Sequence, residues 1–171
     1  MSVKPIVSIP VGVVLERSKT EGRWNDVVWK AAGILTGVPE TPAWTKLSGD
    51  DERASFYAGA TDIELHRAET TNYRDNLATG APLLWVALRP THDEPPFDLA
   101  VVTADPAEAE AMAAIGDALV DSIAMPEEIR DAVDAFVAEH HVERAFVKRK
   151  RDRADPEALG RRAPSRDERS S

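Results

Sequence analysis

The chain has 171 residues, a formal net charge of −9 and no cysteine, and 43% of its residues are hydrophobic. This length and composition predict one folded domain with its own core, with room for a tail. The lack of cysteine excludes disulfides, thiolate metal sites, iron–sulfur ligation and cysteine nucleophiles. The apolar run near the start is too short and too interrupted to span a membrane, and no small-residue cleavage site follows it. We therefore expect a soluble, cytoplasmic protein.

Charge is divided unevenly along the chain. Residues 148–171 carry nine basic and five acidic side chains, whereas the preceding 147 residues carry 12 basic and 25 acidic ones. An acidic body repels phosphate backbones, so we do not expect this protein to bind nucleic acid. Beyond Phe146 the sequence is rich in charge, proline and serine and has no periodicity. The pattern predicts a single domain over 1–148 and a basic, disordered tail over 149–171.

The first two thirds of the chain predict mostly short strands. In the first of them, Pro10 and Gly12 indicate an edge position, a bend or a bulge. Gly59 is expected to connect two separate strands. The predicted strands cover residues 6–16, 26–35, 43–47, 53–58, 61–67, 83–88 and 97–103.

The last third changes character. Asp105 as a cap and Pro106 at the first helical position predict a helix that ends at Gly116. A short strand at 119–123 follows, and Pro126 opens a second, strongly amphipathic helix. The inward stripe of that helix is predicted to contain Ile129, Val133, Phe136, Val137 and His140. Short strands followed by a terminal helix predict an α+β fold, in which a curved antiparallel sheet or partly open barrel is packed by two or three helices.

Residues 61–88 hold the densest run of reactive side chains. As a strand, the segment at 61–67 buries Ile63 and Leu65 on one face and presents its polar residues on the other. A short helix over 68–78 is expected to follow, capped by Thr70 or Thr71. The speculative binding surface consists of Asp62, Glu64, His66, Arg67, Glu69, Asn72, Tyr73, Arg74 and Asn76.

This polar surface has three interpretations. It forms a site for a small molecule or a peptide, or it is an ordinary solvated strand and helix face. A metal site from Asp62, Glu64 and His66 is a weaker alternative, because strand spacing permits it but nothing defines the geometry. No metal or cofactor is assigned. The neighbouring residues His140 and His141 point about 100° apart on a helix and are read as structural.

Two further groups of residues are weighed in the same way. The tryptophans Trp24, Trp29, Trp44 and Trp85 are expected in the core rather than at a ligand. The basic cluster in the tail is either solvated or docked on an acidic surface, on a partner or on this protein itself. Its speculative docking residues are Lys148, Arg149, Lys150 and Arg151.

Common catalytic motifs are missing from the sequence. It contains no G-x-x-x-x-G-K-[ST], G-x-G-x-x-G, H-E-x-x-H or G-x-S-x-G pattern. Nucleotide-binding and hydrolase assignments of the usual kinds therefore have no support in the sequence.

Several segments resemble an uncharacterised bacterial family, domain of unknown function 3305. They are IPVGVVLER (9–17), YAGATDIELHRAETTNYRDNL (57–77), LWVALRP (84–90), VTADPAEAEA (102–111), MPEEI (125–129) and FVAEHHVERAFVKRKR (136–151). The resemblance covers residues 6–153 and carries over no catalytic residue, because the family has none assigned. Genes of the family tend to lie beside those for molybdenum-dependent formate dehydrogenases, ferredoxin-like proteins and assembly chaperones.

The resemblance implies a non-catalytic accessory protein for maturation or assembly of such a dehydrogenase, which acts by binding an enzyme subunit or an assembly factor. Some relatives carry a label of molybdopterin-guanine dinucleotide biosynthesis. The alternative is therefore a molybdopterin-related small-molecule or cofactor-binding protein or enzyme that uses Glu64, His66 and Arg67.

Overall fold

The computed structural model describes residues 5–21 and 26–141. The predicted α+β class is confirmed: two antiparallel sheets are packed by helices. In the described residues the elements are β1 (Val7–Lys19), β2 (Val27–Thr36), β3 (Thr45–Gly49), β4 (Arg53–Leu65), a 3-10 turn (Arg67–Glu69), α1 (Thr70–Ala78), β5 (Leu83–Pro90), β6 (Phe97–Thr103), α2 (Pro106–Ile115), β7 (Leu119–Ala124) and α3 (Glu127–His140).

The two sheets face each other. One has the strand order β2-β1-β4-β3 and the other β6-β5-β7, and every pairing is antiparallel. β6 lies beside β4 and β7 lies beside β2. Within the described residues no ladder of backbone hydrogen bonds joins either of these two pairs. The strands therefore form an open arrangement with two seams, and we call the first of them the β4–β6 seam.

β1 is a central strand, so the edge position is wrong, and the two bulges beside it lie in its partner strands rather than in β1 itself. It pairs with β2 on one side and β4 on the other, and its register shifts on both sides of Val14. Pro10 is tolerated because it precedes the ladder with β2, which begins only at Val11. The missing N–H of this proline therefore removes no bond from that ladder.

The prediction that Gly59 connects two strands is wrong. β4 runs without a break from Arg53 to Leu65, and Gly59 lies inside it with a φ of 124°. Ala58 is the extra residue at this point, because Gly59 pairs with Val13 while Tyr57 pairs with Val14. Such a bulge bends the strand. The part of β4 before the bulge pairs with β3, and the part after it borders the pocket described below.

The core lies between the sheets and under α3. The predicted inward stripe of α3 is confirmed, and the ring of His140 packs on Phe136 with centroids 4.6 Å apart. β5 is the middle strand of its sheet, as its continuous apolar sequence predicts. The largest fully buried side chains are Tyr73, Leu15, Ile63, Leu65, Leu84, Leu88, Ile129, Val11, Val13, Val86, Val102 and Val133.

Trp29 is the centre of an aromatic cluster between the sheets. Its ring contacts those of Trp44, Phe56 and Phe97, with centroids 5.5–6.0 Å apart. Trp29 and Trp44 pack against the core, whereas Trp85 is half-buried on β5. Trp24 lies outside the described residues. The core assignment is thus confirmed for Trp29 and Trp44.

At the seam between β2 and β7, a side chain takes the place of a strand pairing. Asp121 on β7 accepts a hydrogen bond from the backbone N–H of Ala31 at 2.7 Å. Ala31 lies beside a bulge in β2, where Ala32 has no partner in β1. The carboxylate therefore satisfies a strand-edge N–H that the open arrangement leaves without a neighbouring strand.

The boundary at residue 148 and the tail at 149–171, with its docking residues, lie outside the described residues. None of the helices in the described part of the chain has both the length and the apolar character needed to cross a membrane.

Candidate functional site

A pocket of about 150 Å³ opens at the β4–β6 seam. The β4 side supplies Thr61, Asp62, Glu64 and His66. The opposite wall is formed by residues 100–103 of β6, and Glu108 of α2 completes it. The pocket thus combines carboxylates and an imidazole with a wall that includes Ala100, Val101 and Val102.

The alternation predicted for the end of β4 is confirmed. Ile63 and Leu65 have no exposed surface, whereas Asp62 and Glu64 are exposed. The inward residues pack into the core between the sheets and fix the strand. Since successive side chains of a strand point to opposite faces, the polar residues are then presented together.

Glu64 and His66 form a pair at the mouth of the pocket. Glu64 Oε2 lies 3.5 Å from His66 Nε2, and the two side chains are 57% and 27% exposed. A pair this exposed contributes little to stability, since water competes for both groups. Its value is geometric, because the carboxylate orients the imidazole beside the pocket.

Tyr73 supports this pair from inside the protein. The backbone N–H of His66 donates to Tyr73 Oη at 3.0 Å, and the hydroxyl donates to the Glu64 carbonyl at 3.5 Å. The hydroxyl therefore takes the place that a neighbouring strand would occupy. Tyr73 is only 1% exposed, and this burial is the main cause that raises its pKa to about 12. Although it was predicted at the binding surface, Tyr73 lies beneath it.

Asn76 also lies in the interior. Its Nδ2 donates to the carbonyls of Leu83 at 2.8 Å and Ala104 at 3.0 Å. Its Oδ1 accepts from the N–H of Leu83 at 3.0 Å. These three bonds tie α1 to the start of β5 and to the segment after β6. The Asn76 amide thus bonds backbone groups of the fold and does not line the pocket.

Thr103 and Glu108 were not among the predicted site residues. Thr103 Oγ1 donates to Glu108 Oε2 at 2.6 Å and accepts the N–H of Asp105 at 3.1 Å. Asp105 in turn caps α2 by accepting the N–H of Ala107 at 2.9 Å, as predicted. The capping signal placed Glu108 in the first helical turn. Nothing in the sequence indicated that this turn faces β4.

The other predicted surface residues do not line the pocket. Arg67 is exposed in the 3-10 turn, and Glu69 accepts a hydrogen bond from Asn72 Nδ2 at 2.9 Å. Arg74 Nη1 donates to His141 Nε2 at 3.0 Å. The structure therefore brings Asp62, Glu64 and His66 together and places the remaining exposed residues on the adjoining turn and helix.

The start of α1 differs from the prediction. Thr70 and Thr71 lie inside the helix, and Glu69 occupies the capping position without a side-chain cap. Thr70 Oγ1 instead donates to the Arg67 carbonyl at 3.3 Å. The 3-10 turn already supplies acceptors for backbone N–H groups at the helix start, because the N–H of Glu69 donates to the His66 carbonyl at 3.0 Å. A threonine cap is therefore not needed.

The two histidines near the end of α3 contact different residues. His140 packs on Phe136, whereas His141 lies 3.2 Å from Thr70 Oγ1 through its Nδ1. Because Arg74 can only donate, His141 Nε2 is the accepting nitrogen and Nδ1 carries the proton.

Among residues 5–21 and 26–141, no group of three or more metal-ligating side chains is placed to hold an ion. The metal alternative for Asp62, Glu64 and His66 thus has no geometric support.

Comparisons with known proteins agree with the resemblance seen in the sequence. No curated protein and no solved structure matches the chain. The model of one family, described as protein of unknown function (DUF3305), matches residues 10–150. That match contains the strands β2 to β7, the helices α1 to α3 and the whole pocket. The chain therefore belongs to the DUF3305 family.

Proposed function

We propose that this protein is a cytoplasmic, non-catalytic accessory protein that binds a molybdenum-dependent formate dehydrogenase, or one of its assembly factors, during maturation. Binding takes place through the polar surface around residues 64–76, with the pocket at its edge. The volume of the pocket is the observation that favours a protein partner over a cofactor. About 150 Å³ is half or less of the roughly 300–1,000 Å³ typical of small-molecule sites. A pocket of that size accommodates one side chain of a partner rather than a whole pterin cofactor.

The rigidity of the surface supports a binding role. Asp62 and Glu64 project from a strand whose inward residues are fully buried, and His66 is held through its backbone by Tyr73. A backbone anchored in this way keeps its geometry without a ligand, which reduces the entropy lost on association. The identity of the partner is inferred from the gene neighbourhood that the family resemblance implies.

Affinity purification from a formate-respiring culture of the native host tests the proposal. The tagged wild-type chain is expected to enrich a dehydrogenase subunit or an assembly factor. The double substitution Glu64→Gln, His66→Ala is expected to reduce that enrichment at least tenfold, because both side chains border the pocket. Quantitative mass spectrometry at several salt concentrations provides the measurement.

The matched control is Glu127→Gln, Asp131→Asn on the exposed face of α3, away from the pocket. It is expected to retain the wild-type enrichment. The same melting temperature for all three proteins excludes unfolding as the cause of a loss. A wild-type chain that enriches no subunit or factor of a molybdenum enzyme would contradict the proposal.

The Glu64–His66 contact favours a second candidate function, an enzyme or cofactor-binding protein. An imidazole oriented by a carboxylate at a pocket has the arrangement of a general base. Arg67, the third residue of that hypothesis, lies on the adjoining turn rather than in the pocket.

Thermal-shift screening with pterins, nucleotides and metal ions distinguishes the two functions. The enzyme hypothesis expects a ligand that raises the melting temperature of the wild-type chain by several degrees, with the shift lost in His66→Ala. The accessory hypothesis expects no such ligand. A shift that persists in His66→Ala would remove the pocket from consideration as the ligand site.

A further inference from the structure

A second polar and aromatic surface lies at the other end of the strands that border the pocket. Phe56 precedes the bulge in β4 and Phe97 begins β6, whereas the pocket uses later residues of both strands. The members of this surface are all half-buried, and we call them the arginine–aromatic surface: Arg17, Trp29, Trp44, Phe56 and Phe97. This surface and the pocket share two strands but no residue.

Arg17 is the charged member of the surface. It follows Leu15 in the row of β1 side chains that faces the other sheet, and its guanidinium lies 5.1 Å from the ring centroid of Phe56 and 5.9 Å from that of Trp29. The neighbouring acid, Glu16, faces the other side of β1 and forms its ion pairs there. Among the described residues, Arg17 has neither an ion pair nor a hydrogen bond to its side chain.

A guanidinium in this position is suited to bind a carboxylate. Contact with aromatic rings uses the faces of the group and leaves the N–H donors at its edge available. Those donors match the two oxygens of a carboxylate, which they bind through two parallel hydrogen bonds. Because the rings exclude part of the water around Arg17, such a pair is stronger here than on an open surface.

The remainder of the surface is apolar and fixed in place. Trp44 has a φ of 69°, a left-handed conformation that is rare for a bulky side chain, and its N–H donates to the Tyr57 carbonyl. Its ring meets that of Trp29 edge-on, with centroids 5.9 Å apart. Strain of this kind is retained where the surrounding structure holds it, often at binding sites. The same strands expose Val27 and Leu47, so apolar contacts are available beside the guanidinium.

The strands around Arg17 are basic, although the chain as a whole is acidic. Residues 15–19, 27–31, 45–49 and 53–57 are paired in the register of the sheet and carry one acidic side chain and five basic ones, Arg17, Lys19, Lys30, Lys46 and Arg53. In the turn beyond them, the Asp50 carboxylate accepts the N–H groups of Glu52 and Arg53. The strands therefore favour an anion, and the net charge of −9 favours a carboxylate over the more highly charged phosphate.

We propose that the arginine–aromatic surface binds a segment of a partner protein that presents an aspartate or glutamate next to an apolar side chain. The carboxylate pairs with the Arg17 guanidinium, and the apolar side chain packs on the rings of Trp29 and Trp44. The inference does not depend on the proposed dehydrogenase partner. It adds a second recognition site with a different chemistry from that of the pocket.

Selection of displayed random peptides on the full chain tests the inference. Peptides with an acidic residue beside an apolar one are expected to be enriched. The tightest of them is expected to bind Arg17→Gln roughly tenfold more weakly and Arg17→Lys roughly threefold more weakly, because lysine keeps the charge but not the paired donors. The control Arg130→Gln makes the same charge change on the exposed face of α3 and is expected to alter binding by less than about twofold.

A matched peptide identifies the pairing itself. Replacing its acidic residue by the corresponding amide is expected to weaken binding to the wild-type chain roughly tenfold, and to have little effect on binding to Arg17→Gln, since the partner of the carboxylate is then already lost. Melting temperatures show that each variant is folded. If Arg17→Gln does not fold, the same comparison is made with Arg17→Lys, in which the effect of the amide is expected to shrink.

Four results would overturn the inference. They are the enrichment of no acidic peptide, an equal loss in Arg17→Gln and Arg130→Gln, an amide effect that is the same in wild type and Arg17 variants, and self-association of the wild-type chain that Arg17→Gln abolishes. The last result, measured by analytical ultracentrifugation, would make a second copy of this chain the occupant. Capture of dehydrogenase components through Glu64 and His66 is a separate measurement, so either proposal can fail while the other stands.

Discussion

Replacing Asn76 with aspartate is expected to lower the free energy of unfolding by roughly 3–5 kcal/mol, because buried polar groups that lose their partners are expensive. Asn76 is 5% exposed, and its Nδ2 donates to two backbone carbonyls. A carboxylate has the same shape but cannot donate when ionised. It would place negative charge against the oxygens of Leu83 and Ala104 and leave both without their donor.

Urea denaturation at neutral pH, followed by circular dichroism, measures this loss. Asp75→Asn, an exposed substitution at the preceding position of α1, is the control and is expected to change stability by about 0.5 kcal/mol or less. A loss below about 1 kcal/mol for Asn76→Asp would show that this junction relaxes and does not depend on the three bonds.

Alkaline pH is expected to destabilise the protein through Tyr73. Its pKa is about 12 in the fold, mainly because of burial, against an ordinary value of 10.0. Between these values the unfolded chain has lost the proton and the folded chain still holds it. Because the folded state binds more protons there, stability falls as pH rises. The contribution is fully present below pH 10 and lost by about pH 12, on the order of 2–3 kcal/mol.

Comparison with Tyr73→Phe isolates this contribution. The variant removes the titrating hydroxyl and leaves the His66 N–H without its acceptor, so we expect a loss of about 1–2 kcal/mol at pH 7. Between pH 10 and 12 the difference in stability between wild type and variant is expected to close and then to change sign, because only the wild type loses the contribution of the hydroxyl proton. A gap that stays constant over this range, measured by urea denaturation at each pH, would exclude Tyr73 as the titrating group.

Local signals predicted most of the elements correctly. Asp105, Pro106 and Gly116 marked the ends of α2 because capping depends on neighbouring residues alone. Gly59 misled the prediction because a left-handed glycine serves a turn and a bulge equally well. Only the pairing with β1, which is distant in sequence, decides between the two.

The candidate site was predicted in part for a related reason. The pattern of β4 brought Asp62 and Glu64 to one face because strand alternation is local. Glu108 joins them through packing between elements more than 40 residues apart, which no local pattern reports. Tyr73 and Asn76 were assigned to the surface because they are polar. Their burial becomes acceptable only through partners in the strands and loops that pack against α1.

The carboxylate of Asp121 has a consequence for association between copies of the chain. It occupies the Ala31 N–H on the side of β2 that faces β7, and β2 also exposes Val27, Val28 and Leu35. A bare margin with such side chains invites edge-to-edge stacking into fibrils. Because this N–H is bonded to the carboxylate and β7 lies alongside, that side of β2 offers one hydrogen-bond donor fewer to the backbone of a second copy.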